Sequence, residues 1–223
     1  MTDSRLAIFD LDHTLLPIDS DYEWGQFLCA TGAVDRGEFE RRNQYFFDQY
    51  QAGTLNAQEY LEFALGTLTR FTAAELSAMH QQFMQEVIRP AISPAVRALL
   101  AQHQDDLLLM ITATNRFVTE PIARELGFAH LIAAVPEFST EGRITGKLLG
   151  TPTYGIGKVH HLQDWLRQRD KTLNSFERSY FYSDSHNDIP LLEQVSHPIA
   201  TNPDARLTAR AQQLGWPILE LFK

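Results

Sequence analysis

The segment RLAIFDLDHTL, residues 5–15, decides the fold of this chain. Its first part, Arg5–Phe9, is a mainly apolar run that ends at Asp10, and Asp12 follows two positions later. Such a run is typical of a strand that is buried on both faces of a parallel sheet. Residues at i and i+2 of an extended chain point to the same side. The segment therefore predicts a buried strand with a pair of carboxylates at its end.

Further along the chain, strand-like runs alternate with helical patterns. The next predicted strand is Asp106–Ile111, and weaker candidates follow at Leu131–Val135, Tyr180–Ser183 and Pro198–Ala200. Predicted helices are Ser93–Gln102, Phe117–Leu126, Val159–Arg167 and a last one opened by Asn202 and Pro203. This alternation predicts an α/β fold with a Rossmann-like, mainly parallel sheet.

Residues 17–90 do not follow this alternation and contain no convincing strand. They predict four helices, near Ser20–Ala30, Arg36–Gln51, Ala57–Leu65 and Ala73–Ile88. The patterns Ser20-x-x-Glu23 and Thr72-x-x-Glu75 are capping boxes that fit two helix starts. A βαβ unit needs only about 30 residues, far fewer than separate the first two strands. We expect an α/β core of residues 1–16 plus 91–223 and an inserted all-helical cap of residues 17–90, placed over the active site.

Composition narrows the function classes. The chain has 223 residues, a net charge of −9 and 44% apolar residues, as expected for a globular protein. Its acidity argues against nucleic-acid and anionic-membrane surfaces. No apolar run approaches the ~20 residues of a membrane span, and the mainly polar residues 1–5 lead us to expect no signal peptide. Cys29 is the only cysteine, which excludes an internal disulfide and favours a cytoplasmic protein.

The carboxylate pair of Asp10 and Asp12 is the first candidate for chemistry. Two acids this close disfavour each other's ionisation, so that one of them keeps a proton more easily. A nucleophile beside a general acid needs this pairing. The alternative is a capping or turn pair after a strand.

Three further segments could add ligands or charge. Residues 182–188, YSDSHND, place Asp184 and Asp188 after an apolar run, where they could ligate Mg²⁺ or form a turn in which Asp188 caps the next helix. Residues 111–115, ITATN, offer Thr112 and backbone N–H groups at a predicted helix start, a place suited to phosphate, although Thr and Asn are ordinary helix starters. Residues 155–158, GIGK, allow close backbone approach next to Lys158, which could equally be a solvated helix start.

Taken in order, these motifs resemble those of the haloacid dehalogenase superfamily of phosphotransferases. The resemblance spans residues 10–188, which is most of the chain. A helical insertion between the first and second motifs is similar to the phosphoserine phosphatase branch. Dehalogenases of the superfamily lack the second Asp of the first motif, so Asp12 indicates phosphoryl chemistry here.

The resemblance implies a role for each acidic residue. Asp10 would be the nucleophile, and Asp12 would protonate the leaving alcohol and then activate water. Asp184, a carboxylate oxygen of Asp10 and the backbone carbonyl of Asp12 would hold Mg²⁺. Asp188 would orient the waters of the metal.

The resemblance also implies a phosphate-binding set, made of Thr112 with the neighbouring Ala113, Lys158 and Asn187. Phosphoryl transfer depends mostly on positioning and charge neutralisation, so a cation on each side of the phosphate is expected. The implied activity is a Mg²⁺-dependent phosphatase with an aspartyl-phosphate intermediate. Its substrate would be a small phosphate ester.

The inserted segment bears on the substrate. Residues 17–90 contain eleven acids, five arginines, no lysine and twelve of the 24 aromatic residues. In one interpretation the acids face solvent and the aromatic residues form a small core. In the other, the segment covers the active site and prefers a substrate with a cationic, partly aromatic leaving group. In the phosphoserine phosphatases that this chain resembles, a Glu nine residues after the nucleophile holds the substrate ammonium. This chain has the shorter Asp19 at that position, so the resemblance implies that Asp19 is a substrate-specificity residue that still suits an amine. We therefore expect histidinol phosphate, an intermediate of amino-acid biosynthesis, as the substrate, with phosphoserine as the alternative.

Two other function classes stay open. A phosphomutase uses the same motifs but returns the phosphoryl group to its substrate. A non-catalytic phosphate-binding protein would not need to keep Asp10 and Asp12.

Overall fold

Strand β1 (Arg5–Phe9) lies at the centre of a seven-stranded sheet in the computed structural model, which describes residues 5–222 and only the backbone of Gln51. The other strands are β2 (Leu107–Asn115), β3 (His130–Phe138), β4 (Ile144–Leu149), β5 (Arg178–Ser183), β6 (His197–Thr201) and β7 (Ile218–Leu219). Their order is β4-β3-β2-β1-β5-β6-β7, and every neighbouring pair is parallel except β3 and β4. The predicted Rossmann-like α/β fold is confirmed.

Helices cover both faces of this sheet. They are α1 (Ser20–Ala30), α2 (Arg36–Ala52), α3 (Ala57–Gly66), α4 (Ala73–Phe83), α5 (Arg89–Ala91), α6 (Pro94–Ala101), α7 (Arg116–Glu125), α8 (Ile156–Arg167), α9 (Ile189–Leu192) and α10 (Ala205–Leu214). A π-helical turn, Met84–Ile88, joins α4 to α5. Within the described residues, none of these helices is long and apolar enough to cross a bilayer.

The side chains of β1 pack into two separate apolar cores. Ala7 and Phe9 belong to one buried cluster, whereas Leu6 and Ile8 belong to another. Alternate residues of a strand face opposite sides of a sheet, so β1 is buried on both faces. This burial explains why the sequence shows an unbroken apolar run here.

Residues 17–90, all of them within the described chain, form helices and no strand. Phe39, Phe46 and Phe63 stack between α2 and α3, with ring centroids 5.4–5.6 Å apart. Trp24 of α1 and Phe83 of α4 instead share the buried cluster of Phe9 in the sheet. Part of the inserted segment is therefore packed directly on the core, and its boundary at residues 17 and 90 stays a prediction.

The helix caps differ in part from the sequence prediction. The Thr72 and Glu75 capping box is present at the start of α4. The one predicted at Ser20 is wrong, because α1 is capped by Asp19 and the Ser20 N–H donates to Asp12. The last helix is capped by Asp204 instead of Asn202.

Candidate active site

Asp10 and Asp184 lie at the same edge of the sheet because the strands that carry them are parallel neighbours. Asp10 follows β1 directly and Asp184 follows β5, and Phe9 pairs with Tyr182 in the register of these strands. The Asp10 N–H donates to the Tyr182 carbonyl at 2.9 Å, which continues the pairing beyond β1. The carboxyl ends of parallel strands are where open α/β sheets bind ligands. Both acidic motifs therefore occupy the predicted edge.

Lys158 is buried between two carboxylates. Its Nζ lies 3.0 Å from Asp10 Oδ1 and 2.7 Å from Asp188 Oδ2, and only 2% of the residue is exposed. The alternative of a solvated helix start is therefore wrong. A Cβ at Gly157 would lie 2.3 Å from the Pro152 carbonyl oxygen, so only glycine fits the turn that directs Lys158 inward.

Asp188 does not cap the helix that follows it. Its side chain makes no capping bond to α9, and its Oδ2 accepts hydrogen bonds from the Ser183 hydroxyl at 2.6 Å and from Lys158. The capping alternative is wrong for this residue. Asp188 is instead held beside Lys158, where it shares the charge of the lysine with Asp10.

Both carboxylate oxygens of Asp12 accept a hydrogen bond. The Ser20 N–H donates to Oδ1 at 2.7 Å, and the Thr114 hydroxyl donates to Oδ2 at 2.7 Å. These bonds connect β1 to the first turn of α1 and to the end of β2. They hold the Asp12 carboxyl in one orientation, independently of Asp10.

The segment of residues 111–115 is extended and leads directly into the start of α7. Strand β2 runs through Asn115, whose side chain caps α7 by accepting the Val118 N–H. The expected junction of a strand and a helix N-terminus is therefore present, and the phosphate site there stays a prediction. Thr112 and Ala113 still line the cavity described below, and the Thr112 hydroxyl accepts the Thr114 N–H at 3.2 Å.

Asn187 lies opposite this segment, in the turn after β5. Its Nδ2 donates to the Ser185 hydroxyl at 3.2 Å and contacts the Tyr50 hydroxyl at 3.4 Å. Tyr50 belongs to α2, so this contact connects the inserted helices to the sheet. Asn187 therefore lies where the inserted helices meet the end of β5.

The acids of the site perturb one another. Burial raises the pKa of Asp10 well above its ordinary value; Lys158 opposes this rise, and Asp188, Asp184 and Asp12 add to it. Burial and the neighbouring Asp188 raise the pKa of Asp184 to about 7. Burial alone would lower the pKa of Lys158, but Asp10 and Asp188 raise it above its ordinary range. The site thus holds more negative charge than one lysine compensates.

This excess of carboxylates fits a hard divalent cation. Mg²⁺ prefers oxygen ligands and takes few of them from protein side chains, since it keeps several waters and binds substrate phosphate. In the described chain, no three or more His, Cys, Asp or Glu side chains are grouped to hold a metal by themselves. Two carboxylates, Asp10 and Asp184, with the Asp12 carbonyl would be a set of the size that Mg²⁺ uses.

Asp19 and Asp21 place two more carboxylates at the start of α1. Asp19 Oδ1 accepts the Asp21 and Tyr22 N–H groups at 3.0 and 2.9 Å, so Asp19 is the helix cap. Burial and the charge of Asp12 raise the pKa of Asp19 to about 6. Asp21 is buried and accepts a hydrogen bond from Asn115 Nδ2 at 3.0 Å.

The acids of the site, Lys158 and Asn187 line one cavity of about 690 Å³ between the sheet edge and α1–α3. The catalytic candidates lie at its base, and aromatic side chains from the inserted helices, including Phe47, Tyr50 and Tyr60, line its walls. Phe39 is buried away from the cavity, whereas Phe46 is buried and also lines it. The aromatic residues of the cap therefore divide between a small core and the cavity wall.

Sequence reasoning missed four residues of the site: Thr114, Asp21, Tyr50 and Tyr60. Thr114 lies within residues 111–115, which the sequence analysis identified as a candidate segment, but its hydrogen bond to Asp12 was not predicted. The other three occur in helical patterns among many similar residues. Their part in the site depends on contacts with distant segments, such as that between Asp21 and Asn115.

The fold and the buried acid and lysine cluster define a phosphoryl-transfer enzyme of the α/β class. The family model of the haloacid dehalogenase-like hydrolases matches residues 7–193, a range that contains every candidate residue above. The chain belongs to this family and is a phosphatase.

Individual relatives agree with this assignment. The chain is 45% identical to the histidinol-phosphatase of Neisseria meningitidis serogroup C (strain 8013) over 217 residues, which cover 96% of this chain and 98% of the relative. It is 33% identical to phosphoserine phosphatase SerB1 of Mycobacterium tuberculosis, covering 95% of this chain and 69% of that protein. The crystal structure of a Bordetella pertussis Tohama I protein of unknown function superposes with a TM-score of 0.92 at 48% identity, covering 98% and 99% of the two chains.

Proposed function

We propose that the chain is a Mg²⁺-dependent phosphomonoesterase that hydrolyses histidinol phosphate through a phosphoryl group carried on Asp10. The observation that carries the mechanism is the buried contact of 3.0 Å between Lys158 Nζ and Asp10 Oδ1 at the base of the cavity. A lysine there offsets the negative charge of a phosphate that approaches the carboxylate. Covalent capture then divides the hydrolysis into two easier steps.

In the first step, a carboxylate oxygen of Asp10 attacks phosphorus. The bond from phosphorus to the alcohol oxygen breaks, and that oxygen takes a proton from Asp12. Asp12 must be protonated at this point, which its contacts allow. If Oδ2 carries the proton, the Thr114 hydroxyl rotates and accepts the hydrogen bond that it otherwise donates.

In the second step, water attacks the phosphorus of the aspartyl phosphate. Asp12, now a carboxylate, takes the proton of the attacking water, and the bond from phosphorus to Asp10 breaks. Inorganic phosphate leaves, while Asp10 is a carboxylate again and Asp12 is protonated. One residue thus serves as acid and then as base, which requires the fixed orientation that Ser20 and Thr114 provide.

The phosphate would be held by Thr112, the backbone at Ala113, Lys158 and Asn187, which all line the cavity. Carboxylates of Asp10 and Asp184 with the Asp12 carbonyl would hold Mg²⁺, and Asp188 would orient its waters. When bound, the ion supplies the positive charge that the cluster of acids lacks.

Two observations support histidinol phosphate as the substrate: the similarity to a relative and the chemistry of the cavity wall. The relative with that activity is 45% identical over nearly its whole length. The cavity wall is acidic and aromatic, which suits an ammonium and an imidazole. Phosphoserine is the second candidate, because a phosphoserine phosphatase is 33% identical to this chain.

A direct test measures phosphate release from histidinol phosphate, phosphoserine and p-nitrophenyl phosphate, with Mg²⁺ and after treatment with EDTA. We expect Mg²⁺-dependent release from all three and the highest kcat/KM for histidinol phosphate. An isomeric phosphate ester without free phosphate would indicate a phosphomutase. Binding without turnover of any ester would indicate a phosphate-binding protein.

A further inference from the structure

The two groups that hold the Asp12 carboxylate are each the chain neighbour of a residue in a second hydrogen bond. Ser20 and Thr114 donate to the two oxygens of Asp12. The residues that follow them, Asp21 and Asn115, form the second bond, in which Asn115 Nδ2 donates to Asp21 Oδ1 at 3.0 Å. The start of α1 and the end of β2 are therefore joined twice, once through Asp12 and once beside it.

The bond between Asp21 and Asn115 is shielded from water. Asp21 is 6% exposed and Asn115 is 1% exposed. Asn115 Oδ1 accepts the Val118 N–H at 3.2 Å, so the amide nitrogen is the atom left to face Asp21. Breaking a buried bond of this kind leaves polar groups without partners, which is costly. The pair therefore holds the two segments at a fixed separation.

Tyr60 of α3 acts on the same carboxyl. Burial and the neighbouring Asp19 raise the pKa of Asp21 to about 7, whereas a hydrogen bond from the Tyr60 side chain lowers it. Burial and the nearby Asp21 raise the pKa of Tyr60 well above its ordinary value, so its hydroxyl keeps the proton that it donates. Asp21 Oδ2 is closed to solvent, and Oδ1 is engaged by Asn115. The carboxyl is therefore used within the chain and not for a substrate.

We propose that the hydrogen bond between Asp21 and Asn115 is a clamp that positions the proton-transferring carboxyl of Asp12. Both members of the clamp are positioning residues, because they keep the Ser20 N–H and the Thr114 hydroxyl at the separation that Asp12 requires. A general acid must lie within hydrogen-bond reach of the leaving oxygen, and a displacement of about 1 Å can cost about a hundredfold in rate. This inference rests on the proposed role of Asp12 and assigns its orientation to a bond outside the reacting groups.

Two substitutions of Asp21 differ in hydrogen bonding and agree in charge. Asp21→Leu and Asp21→Asn both remove the negative charge, but only the second keeps an oxygen for the Asn115 amide. A difference between them therefore reports the hydrogen bond. The control for the first is Asp48→Leu, because Asp48 is exposed on α2 and accepts Gln44 Nε2 at 2.7 Å. The control for the second is Glu59→Gln, which removes an exposed acid of α3, and neither control residue lines the cavity.

Two esters with different leaving groups separate a role in proton transfer from a general loss of structure. Ethyl phosphate needs a proton on its leaving oxygen, whereas p-nitrophenol leaves as a stable anion. In the Mg²⁺-loaded full chain, Asp21→Leu should lower kcat/KM for ethyl phosphate about tenfold to a hundredfold and that for p-nitrophenyl phosphate much less. Asp21→Asn and both controls should behave like the unmodified chain on either ester.

A double variant tests whether Asp21 acts through the contacts of Asp12. Thr114→Val removes one of these contacts directly. Changes that act on one shared group are not additive in free energy. The chain with both Asp21→Leu and Thr114→Val should therefore lose clearly less activity on ethyl phosphate than the product of the two single losses.

Several results would overturn the inference. No loss in Asp21→Leu, or an equal loss on both esters, would give Asp21 a structural role only. The same selective loss in Asp21→Asn would assign the effect to charge, and losses that multiply in the double variant would separate Asp21 from Asp12. If Asp21→Leu does not fold, Tyr60→Phe makes the same comparison with a smaller selective loss expected, and no selectivity there refutes the clamp. Phosphate release from p-nitrophenyl phosphate keeps the phosphatase function in each case, whereas no release from either ester by the unmodified chain would refute that function itself.

Discussion

Thr14 and Asp184 bind each other twice, across 170 positions of sequence. The Asp184 N–H donates to Thr14 Oγ1 at 3.0 Å, and the same hydroxyl donates to Asp184 Oδ1 at 3.0 Å. Thr14 is fully buried, so no water replaces this hydroxyl easily. The pair fixes one oxygen of Asp184 and directs the carboxylate towards the position proposed for Mg²⁺.

Loss of the Thr14 hydroxyl should therefore weaken the metal site. Removing a group that orients a metal ligand typically lowers metal affinity by about 10–100-fold. We expect Thr14→Val to raise the Mg²⁺ concentration for half-maximal activity by about 10–100-fold. Thr14→Ser, which keeps the hydroxyl, should require the same Mg²⁺ concentration as the unmodified chain. EDTA should abolish activity in all three proteins, and Ca²⁺ should replace Mg²⁺ poorly. The same Mg²⁺ requirement in the Val variant would show that Asp184 needs no such support.

A second prediction concerns Thr114 as a positioning residue for Asp12. Proton donation matters for an alkyl alcohol and little for p-nitrophenol, which leaves as a stable anion. Thr114→Val should lower kcat/KM for ethyl phosphate about tenfold and change that for p-nitrophenyl phosphate much less. Thr114→Ser, which keeps the hydroxyl, should behave like the unmodified chain. An equal loss on both esters would mean that Thr114 does not act through proton transfer.

The sequence predicted most of the central sheet because its strands are buried on both faces and so form unbroken apolar runs. Strand β4 is different. It pairs antiparallel with β3 at the edge of the sheet, alternates between buried and exposed residues, and contains Gly146. Strand β7 has only two residues, Ile218 and Leu219. Neither strand has the unbroken apolar run that identifies a central strand in the sequence.

The site could be predicted where chemistry follows strand order, as for Asp10 and Asp184. It could not be predicted where function depends on contacts with remote segments. Asp21 appears in the sequence as one of eleven acids in the inserted segment. Only the folded chain shows that Asn115, 94 positions away, binds one of its oxygens and that Tyr60 acts on the same carboxyl.

A third prediction concerns Asp19 as a substrate-specificity residue. Asn caps helices about as well as Asp, so Asp19→Asn should keep α1 intact. It removes one negative charge from the lining of the cavity. This loss should lower kcat/KM about threefold to tenfold for phosphoethanolamine, which carries an ammonium, and change that for ethyl phosphate much less. An equal loss on both esters would mean that Asp19 does not contact the ammonium.

A fourth prediction concerns stability. Asp21 has a pKa of about 7 in the folded chain against an ordinary value of 3.8. The folded state therefore holds a proton that the unfolded state has released between these values, and stability falls as pH rises through that range. Asp12 and Asp19 both add to this effect by repulsion.

Asp21→Asn should remove this loss of stability. At about pH 8 we expect the variant to be more stable by an amount on the order of a few kcal/mol, and below about pH 4 the difference should shrink. Denaturant unfolding at both pH values measures this, with Glu59→Gln as the control. A variant that is less stable at about pH 8 would show that the Asp21 charge supports the fold.

The central claim is that Asp10 carries the phosphoryl group. Its most direct test is an acid quench of the Asp12→Asn variant during turnover of p-nitrophenyl phosphate, followed by peptide mass spectrometry. In this variant the intermediate should accumulate, because the base that activates water is lost. We predict a base-labile phosphoryl group on the peptide that contains Asp10, and none in a chain that also carries Asp10→Asn. A phosphoryl group on another residue, or turnover in the Asp10→Asn chain, would contradict the account.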